Sequence, residues 1–407
     1  MLPLVTRLPC WPLLALLVAC GGGGAPPAIV EPPSPPPPPA LTPLAQLGEK
    51  IYSDHTLSGS GRMSCATCHD PAFTHGPPNT LAVQVGGAFE TQSGLRAAPS
   101  LRYLERQPAF TLGAGLLDTV RGGFTTDGRA DTLAAQAHLP LLNPLELDNG
   151  SDATLARRIR AAVWAPQFQA LFGESDAATT VRQLAEALQA FQQEDARFHP
   201  YDSKFDQVQA GRAQFSPAEQ RGLQAFRDPA RGNCAACHAD TSADGRPPLF
   251  TNFGYAATAV PRNPAIPANA DAAYFDLGLC GPQRTDLATR PALCGLFRTP
   301  GLRNVATRPT FFHNGVMTSL AQVLDFYNTR DTAPERWYPV RNGVVQLFDD
   351  LPPAYRGNVT RQAPLDGRPA GSAPPMSAQD LADIACFLGT LSDGHVADTP
   401  PVEGCRR

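Results

Sequence analysis

Two five-residue stretches carry the most specific chemistry of the chain. Cys65-Ala66-Thr67-Cys68-His69 and Cys234-Ala235-Ala236-Cys237-His238 both read C-x-x-C-H, the spacing that attaches a c-type haem. Two thiols on one short turn reach the two vinyl groups of a single porphyrin. The histidine that follows is then held beneath the ring as the proximal ligand of the iron. A redox dithiol with an incidental histidine, or half of a zinc site, would use the same residues. Two copies in one chain, with no further C-x-x-C to complete zinc sites, favour haem. The expectation is two covalent c-type haems, one on Cys65 and Cys68 over His69, the other on Cys234 and Cys237 over His238.

Each motif needs a helix to present it. Before the first, the pattern predicts a helix from Leu41 to Tyr52, with Thr42 as cap, Pro43 in the first turn, and Leu44, Leu47 and Ile51 on one face. Before the second, Ser216-Pro217-Ala218-Glu219 is a capping box that starts a helix over Pro217–Phe226. The plan of helix then haem loop thus occurs twice. Further helical periodicity covers Asp131–Leu139, Asp152–Val163, Ala178–Phe191 and Ser377–Leu391. Residues 70–127 are rich in turn residues, residues 195–215 read as a connection, and no alternating strand pattern is evident. The predicted fold class is all-α: two cytochrome c-like domains, residues 44–200 and 201–395, with long loops around one haem each and a short tail, 396–407.

The chain has 407 residues and a net charge of −4, which makes neither nucleic acid nor an anionic membrane surface an obvious partner. Its 35 Gly and 43 Pro describe a loop-rich protein, which a covalent haem can supply with buried apolar bulk. Ten cysteines point to an oxidising compartment. Near the N-terminus, Arg7 precedes an apolar run, Leu13 to Ala19, too short to span a bilayer. It ends in Leu17-Val18-Ala19-Cys20, a lipoprotein-type cleavage box that would leave Cys20 lipidated; an ordinary signal peptide with an incidental cysteine is the alternative. Residues 1–20 are therefore predicted to be a signal peptide, and 21–43 a Gly/Pro-rich tether. The plan is that of a periplasmic protein attached to the membrane only through a lipid. Cys280, Cys294, Cys386 and Cys405 remain, with three pairings open. Cys280–Cys294 would close a short loop, and Cys386–Cys405 would staple the tail to the last helix.

The two haem motifs occur together with Asp127-Gly128-Arg129-Ala130, Leu302-Arg303-Asn304-Val305, and Phe311-Phe312-His313-Asn314-Gly315 leading to Phe326-Tyr327. In this combination the chain resembles the bacterial di-haem cytochrome c peroxidase family, MauG-like branch, over roughly residues 41–395. The resemblance implies reduction of hydrogen peroxide at the N-terminal haem, with electrons passing through the C-terminal haem from a cytochrome or protein substrate. It assigns Gln136 and Glu146, nine residues past Asp127 and ten further on, to the peroxide site. Glu146 would move a proton between the two oxygens and Gln136 would assist. Asp127, Arg129 and His313 would support the sites. It places Tyr327, fourteen residues past His313, as distal ligand of the C-terminal haem where other members use methionine; Met317 is the alternative ligand. Three departures stand out. Thr126 replaces a tryptophan between the haems, leaving Phe124 as a weak substitute. Ala97 replaces an asparagine that holds calcium in relatives, so calcium would depend on carbonyls and water. His75 lies too near Cys68 to be a displaceable distal ligand and reads as a loop residue. The rival reading is a di-haem electron carrier without peroxidase activity.

Overall fold

In the computed structural model, helices are joined by long loops, and the structure describes residues 39–113, 120–396, 399 and 404–406. The signal peptide, Cys20 and most of the tether and tail lie outside the described residues. The helices are α1 (Pro43–Tyr52), α2 (Cys65–Cys68), α3 (Leu133–Leu142), α4 (Asp152–Ala161), α5 (Ala165–Phe172), α6 (Ala177–Glu194), α7 (Lys204–Gln209), α8 (Pro217–Arg227), α9 (Leu320–Thr329) and α10 (Ala378–Gly389). Thr42, Ser216 and Ser377 cap α1, α8 and α10, the last two through full capping boxes.

Two crossings carry the haem loops. α1 packs across α6, and α8 packs across α10. Both crossings close on a glycine. A Cβ on Gly48 would lie 2.0 Å from the Ala187 carbonyl oxygen, and one on Gly222 would lie 1.9 Å from that of Asp383. Phe191 and Phe387 stand beside these contacts. The repeat inferred from helix-then-loop order is therefore also a repeat of packing. One core gathers Leu47, Ile51, Leu184, Leu188 and Phe191; another gathers Phe226, Phe326, Ile384, Phe387 and Leu391. Both belong to one contact unit, Ala40–Arg407.

The structure corrects several boundaries and adds elements. α3 runs on to Leu142 through Pro140. Its start waits for Thr132, whose hydroxyl accepts from the Ala135 N–H. α5 and α7 fall where no helix was expected; α7 is a six-residue helix with its own capping box, Ser203 and Asp206, in the stretch read as a connection. Four antiparallel two-stranded ribbons also occur: β1 (Val85–Gly86) with β2 (Gln92–Ser93), β3 (Thr111–Leu112) with β4 (Val120–Arg121), β5 (Tyr255–Ala256) with β6 (Phe297–Arg298), and β7 (Val340–Arg341) with β8 (Val344–Val345). Two-residue strands are too short to show an alternating pattern. Cysteine pairing is resolved as Cys280–Cys294 and Cys386–Cys405.

Candidate functional site

Cys65 and Cys68 form the single turn α2, at whose start the Ser64 N–H donates to the Thr67 hydroxyl oxygen at 2.9 Å. His69 follows at its end, its N–H donating to the Cys65 carbonyl. All three line a cavity of about 210 Å³ that opens to solvent. Burial pushes the Cys65 thiol up to about 12 and the Cys68 thiol up to about 11. A redox dithiol needs the reverse shift, and these two sulfurs are unpaired. Among the described residues no group of three or more His, Cys, Asp or Glu is placed to hold a metal ion. Burial also drives His69 down to about 4, keeping its ring neutral. Its Nδ1 has no partner in hydrogen-bonding geometry, although the Pro99 and His75 backbone lies beside it. The Tyr52 hydroxyl donates to the His69 carbonyl.

Glu146 and Gln136 line the same cavity. Gln136 projects from α3, and its side chain bonds no protein group among the described residues. Glu146 follows the end of α3. Its N–H donates to the Asn143 carbonyl, its own carbonyl accepts from Gly87, and the Asn143 amide donates to its Oε1 at 2.6 Å. The turn has no slack, since a Cβ on Gly86 would sit 2.3 Å from the Leu145 carbonyl oxygen. The residue as a whole remains exposed, yet neighbouring protein atoms strip part of the water from its carboxyl. This desolvation raises its pKa, against the pull of the Asn143 bond and the Arg129 charge.

Arg129 also reaches this cavity, and Asp127 fixes it through two bonds of 2.8 and 2.9 Å. Asp127 is fully buried and also binds Arg96 at 2.7 Å; Arg96 in turn grips Asp276 with bonds of 2.6 and 2.7 Å. Burial pushes both carboxyls up, but the guanidinium charges outweigh it and hold them below the ordinary range. Sequence reasoning marked the stretch around Arg96 only for its missing asparagine and passed over Arg96 and Asp276. Ala97 offers no ligand side chain; its N–H donates to the His313 carbonyl at 2.8 Å. His313 stacks on Phe297 with centroids 3.7 Å apart, and its Nε2 is unpartnered. Phe124 and Thr126 line the cavity. His75, read only as a loop residue, is buried with its ring 3.9 Å from that of Phe198.

Cys234 and Cys237 form the second turn, also unpaired and with raised pKa from burial, Cys234 to about 12. His238 Nδ1–H donates to the Phe250 carbonyl at 3.0 Å. That bond fixes the tautomer and leaves Nε2 with its lone pair free for a metal. Tyr327 lies on α9 close enough to both thiols for their charges to raise its pKa, after the larger effect of burial. Its hydroxyl bonds no protein group among the described residues, unlike a core tyrosine, whose hydroxyl is normally satisfied. Met317 is buried within the apolar core beside Phe311.

The residues thus suit a porphyrin at each turn: half-buried unpaired thiols, a neutral histidine, and at the first turn an open cavity. These are the features of c-type haem proteins, and the cavity carboxylate belongs to an enzyme among them. The family model for di-haem cytochrome c peroxidase matches residues 42–214. The methylamine utilization protein MauG of Paracoccus denitrificans is 37% identical over 297 residues, covering 70% of this chain and 74% of that protein. Cytochrome c551 peroxidase of Nitrosomonas europaea is 25% identical over 293 residues, covering 70% and 74%. The crystal structure of the diheme peroxidase BthA from Burkholderia thailandensis superposes with a TM-score of 0.80 at 40% identity, over 90% of each chain. The chain belongs to the di-haem cytochrome c peroxidase family. It is therefore an enzyme of a family that implies two c-type haems and hydrogen peroxide as substrate.

Proposed function

We propose that the chain is a periplasmic, lipid-anchored di-haem peroxidase of MauG type, built from two cytochrome c-like domains. The haem held by Cys65, Cys68 and His69 would supply the iron that takes peroxide, and the one held by Cys234, Cys237 and His238 the relay for electrons. Glu146 takes a proton from one oxygen of peroxide and returns it to the other, which departs as water. Asn143 holds the carboxyl for this task, and its raised pKa suits a group that must both accept and release a proton. Gln136 donates to the developing charge on oxygen. Arg129, held by Asp127, adds a fixed positive charge at the same cavity. Tyr327 would ligate the second iron as phenolate, since a bound cation would lower the phenol's pKa against the effect of burial. Calcium would have to rest on carbonyls and water, since Ala97 cannot contribute.

One observation carries the reading: Glu146 and Gln136, distant from the first haem turn in sequence, line one cavity with it. The test is the optical and spin-resonance spectrum before and after one equivalent of peroxide. A peroxidase responds at once, whereas an electron carrier with both irons six-coordinate leaves its spectrum nearly unchanged. The electron donor is a cytochrome or a protein substrate, as the resemblance implies, and the anchor would be the lipid on Cys20. No helix among the described residues is long and apolar enough to cross a membrane.

A further inference from the structure

A second set of oxidisable side chains lies outside the residues assigned above. Tyr103 sits between Leu101 and Leu104, both of which line the His69 cavity. Its ring meets that of Tyr201 edge-on, with centroids 4.9 Å apart. Each phenol donates to a carboxylate, Tyr103 to Asp393 Oδ1 at 2.5 Å and Tyr201 to Glu105 Oε1 at 2.6 Å. Arg106 donates to the Tyr201 hydroxyl oxygen at 3.3 Å. The Arg303 guanidinium lies against both rings, 4.9 and 4.8 Å from their centroids, anchored by two 2.8 Å bonds to Asp206. Tyr103 is buried and Tyr201 half-buried, so Tyr201 is the outer member.

The arrangement constrains how these rings lose electrons. A cation against a ring opposes any positive charge that develops on it, so an electron cannot leave alone. Nor can the proton leave beforehand: burial holds the Tyr201 phenol up at about 12 and the Tyr103 phenol higher still. Electron and proton must depart together, and each phenol already donates to a carboxylate that can take the proton. Asp393 also pairs with Arg102 at 2.7 Å and accepts from Asn304 at 2.6 Å, so it anchors the loop as well as facing the Tyr103 phenol.

We propose that Tyr103 and Tyr201 form a two-step relay that carries oxidising equivalents from the His69 cavity to the surface. There Tyr201 accepts electrons singly from a small organic one-electron reductant, a phenol for example. The relay rests on the peroxidase reading above. In each cycle the Tyr103 O–H bond breaks, its electron passing inward to the peroxide-reducing site and its proton to Asp393. Tyr103 then regains an electron from Tyr201 and its proton from Asp393, while the Tyr201 proton moves to Glu105. The Tyr201 phenoxyl takes one electron from the reductant, and its proton returns from Glu105. Two cycles supply two electrons, which with two protons from solvent convert one peroxide to two waters.

The test uses the haem-loaded protein, peroxide and a nitrone spin trap, followed by digestion and mass spectrometry of the adducts. The optical response of the wild type to peroxide is recorded first; its absence sinks the peroxidase reading itself. Given that response, the expected adduct lies on the peptide containing Tyr201, and Tyr103→Phe and Tyr201→Phe each lower its yield at least tenfold. Glu105→Gln preserves both rings and their packing, so it guards against a folding artefact. At equal haem content it should also lower the yield, and heavy water should slow radical formation in the wild type. A responding protein with no adduct on either tyrosine, or a Tyr201 adduct indifferent to Tyr103→Phe and Glu105→Gln, overturns the relay.

Discussion

At the scale of single residues, two side chains decide what each haem turn can do. Glu146 is aimed into the first cavity by a turn that Asn143 and Gly87 close from either side. Glu146→Gln keeps the shape and the Asn143 contact but removes the proton acceptor. Peroxide should then react about 10²- to 10⁴-fold more slowly in stopped-flow traces, with both haems retained. The pH profile checks the same residue. Its carboxyl is raised above the usual value, and the base works only when deprotonated. The wild-type rate should therefore fall as pH drops through a point above the ordinary Glu pKa of about 4.3, and Glu146→Gln should lose that limb. At the second turn, Tyr327 offers an unbonded hydroxyl beside Cys234 and Cys237. Tyr327→Phe should abolish the low-spin ferric signal of one haem and leave the other unchanged. Tyr327→Met should instead restore six-coordination and raise that potential, a soft neutral ligand replacing a hard anionic one. A low-spin signal that survives Tyr327→Phe would move attention to Met317.

At the scale of elements, the positions of these residues depend on contacts between segments far apart in sequence. Arg96 joins Asp127, which fixes Arg129 at the cavity, to Asp276 on the far side of the chain. Arg96→Leu leaves the Asp276 carboxylate buried with no cation, which costs roughly 3–5 kcal/mol; denaturant titration of the haem-loaded protein measures it. The sign of the pH effect follows from the depressed carboxyl pKa values of Asp127 and Asp276. Their contribution is fully present above the unfolded value of about 3.9. It is lost as pH falls through the folded values, so acid should unfold the wild type more steeply than the variant.

At the scale of the whole molecule, the same unit occurs twice: a helix crossing on a glycine, a C-x-x-C-H turn, and a half-buried neutral histidine. The two halves nonetheless carry different partners: Glu146 lines the cavity at the first turn, and Tyr327 lies beside the thiols of the second. Replacing Cys234 and Cys237 by Ala should reduce the mass by one haem and leave the first haem in place. The surviving haem should still bind peroxide, because Gln136 and Glu146 line its own cavity beside Cys65 and Cys68. Loss of both haems would show that the halves do not load independently.

The haem-attachment residues, both preceding helices, the Ser216–Glu219 capping box and the helical periodicity of α1, α6 and α10 were legible in the sequence, because they are local: spacing of three to seven residues and one capping side chain determine them. Cysteine pairing stayed open, since three pairings satisfy the same composition; proximity in the fold selects Cys280–Cys294 and Cys386–Cys405. Helices α5 and α7 were missed, being short segments that tertiary packing stabilises more than propensity does. The Arg96–Asp127–Asp276 cluster and the Tyr103–Tyr201 pair have no local pattern at all. Their members stand up to 180 residues apart, and a charge or a phenol becomes informative only when burial strips its water and brings one partner within reach. Local chemistry was written in the order of residues; which distant groups share a cavity, and which charges answer each other, only the folded chain decided.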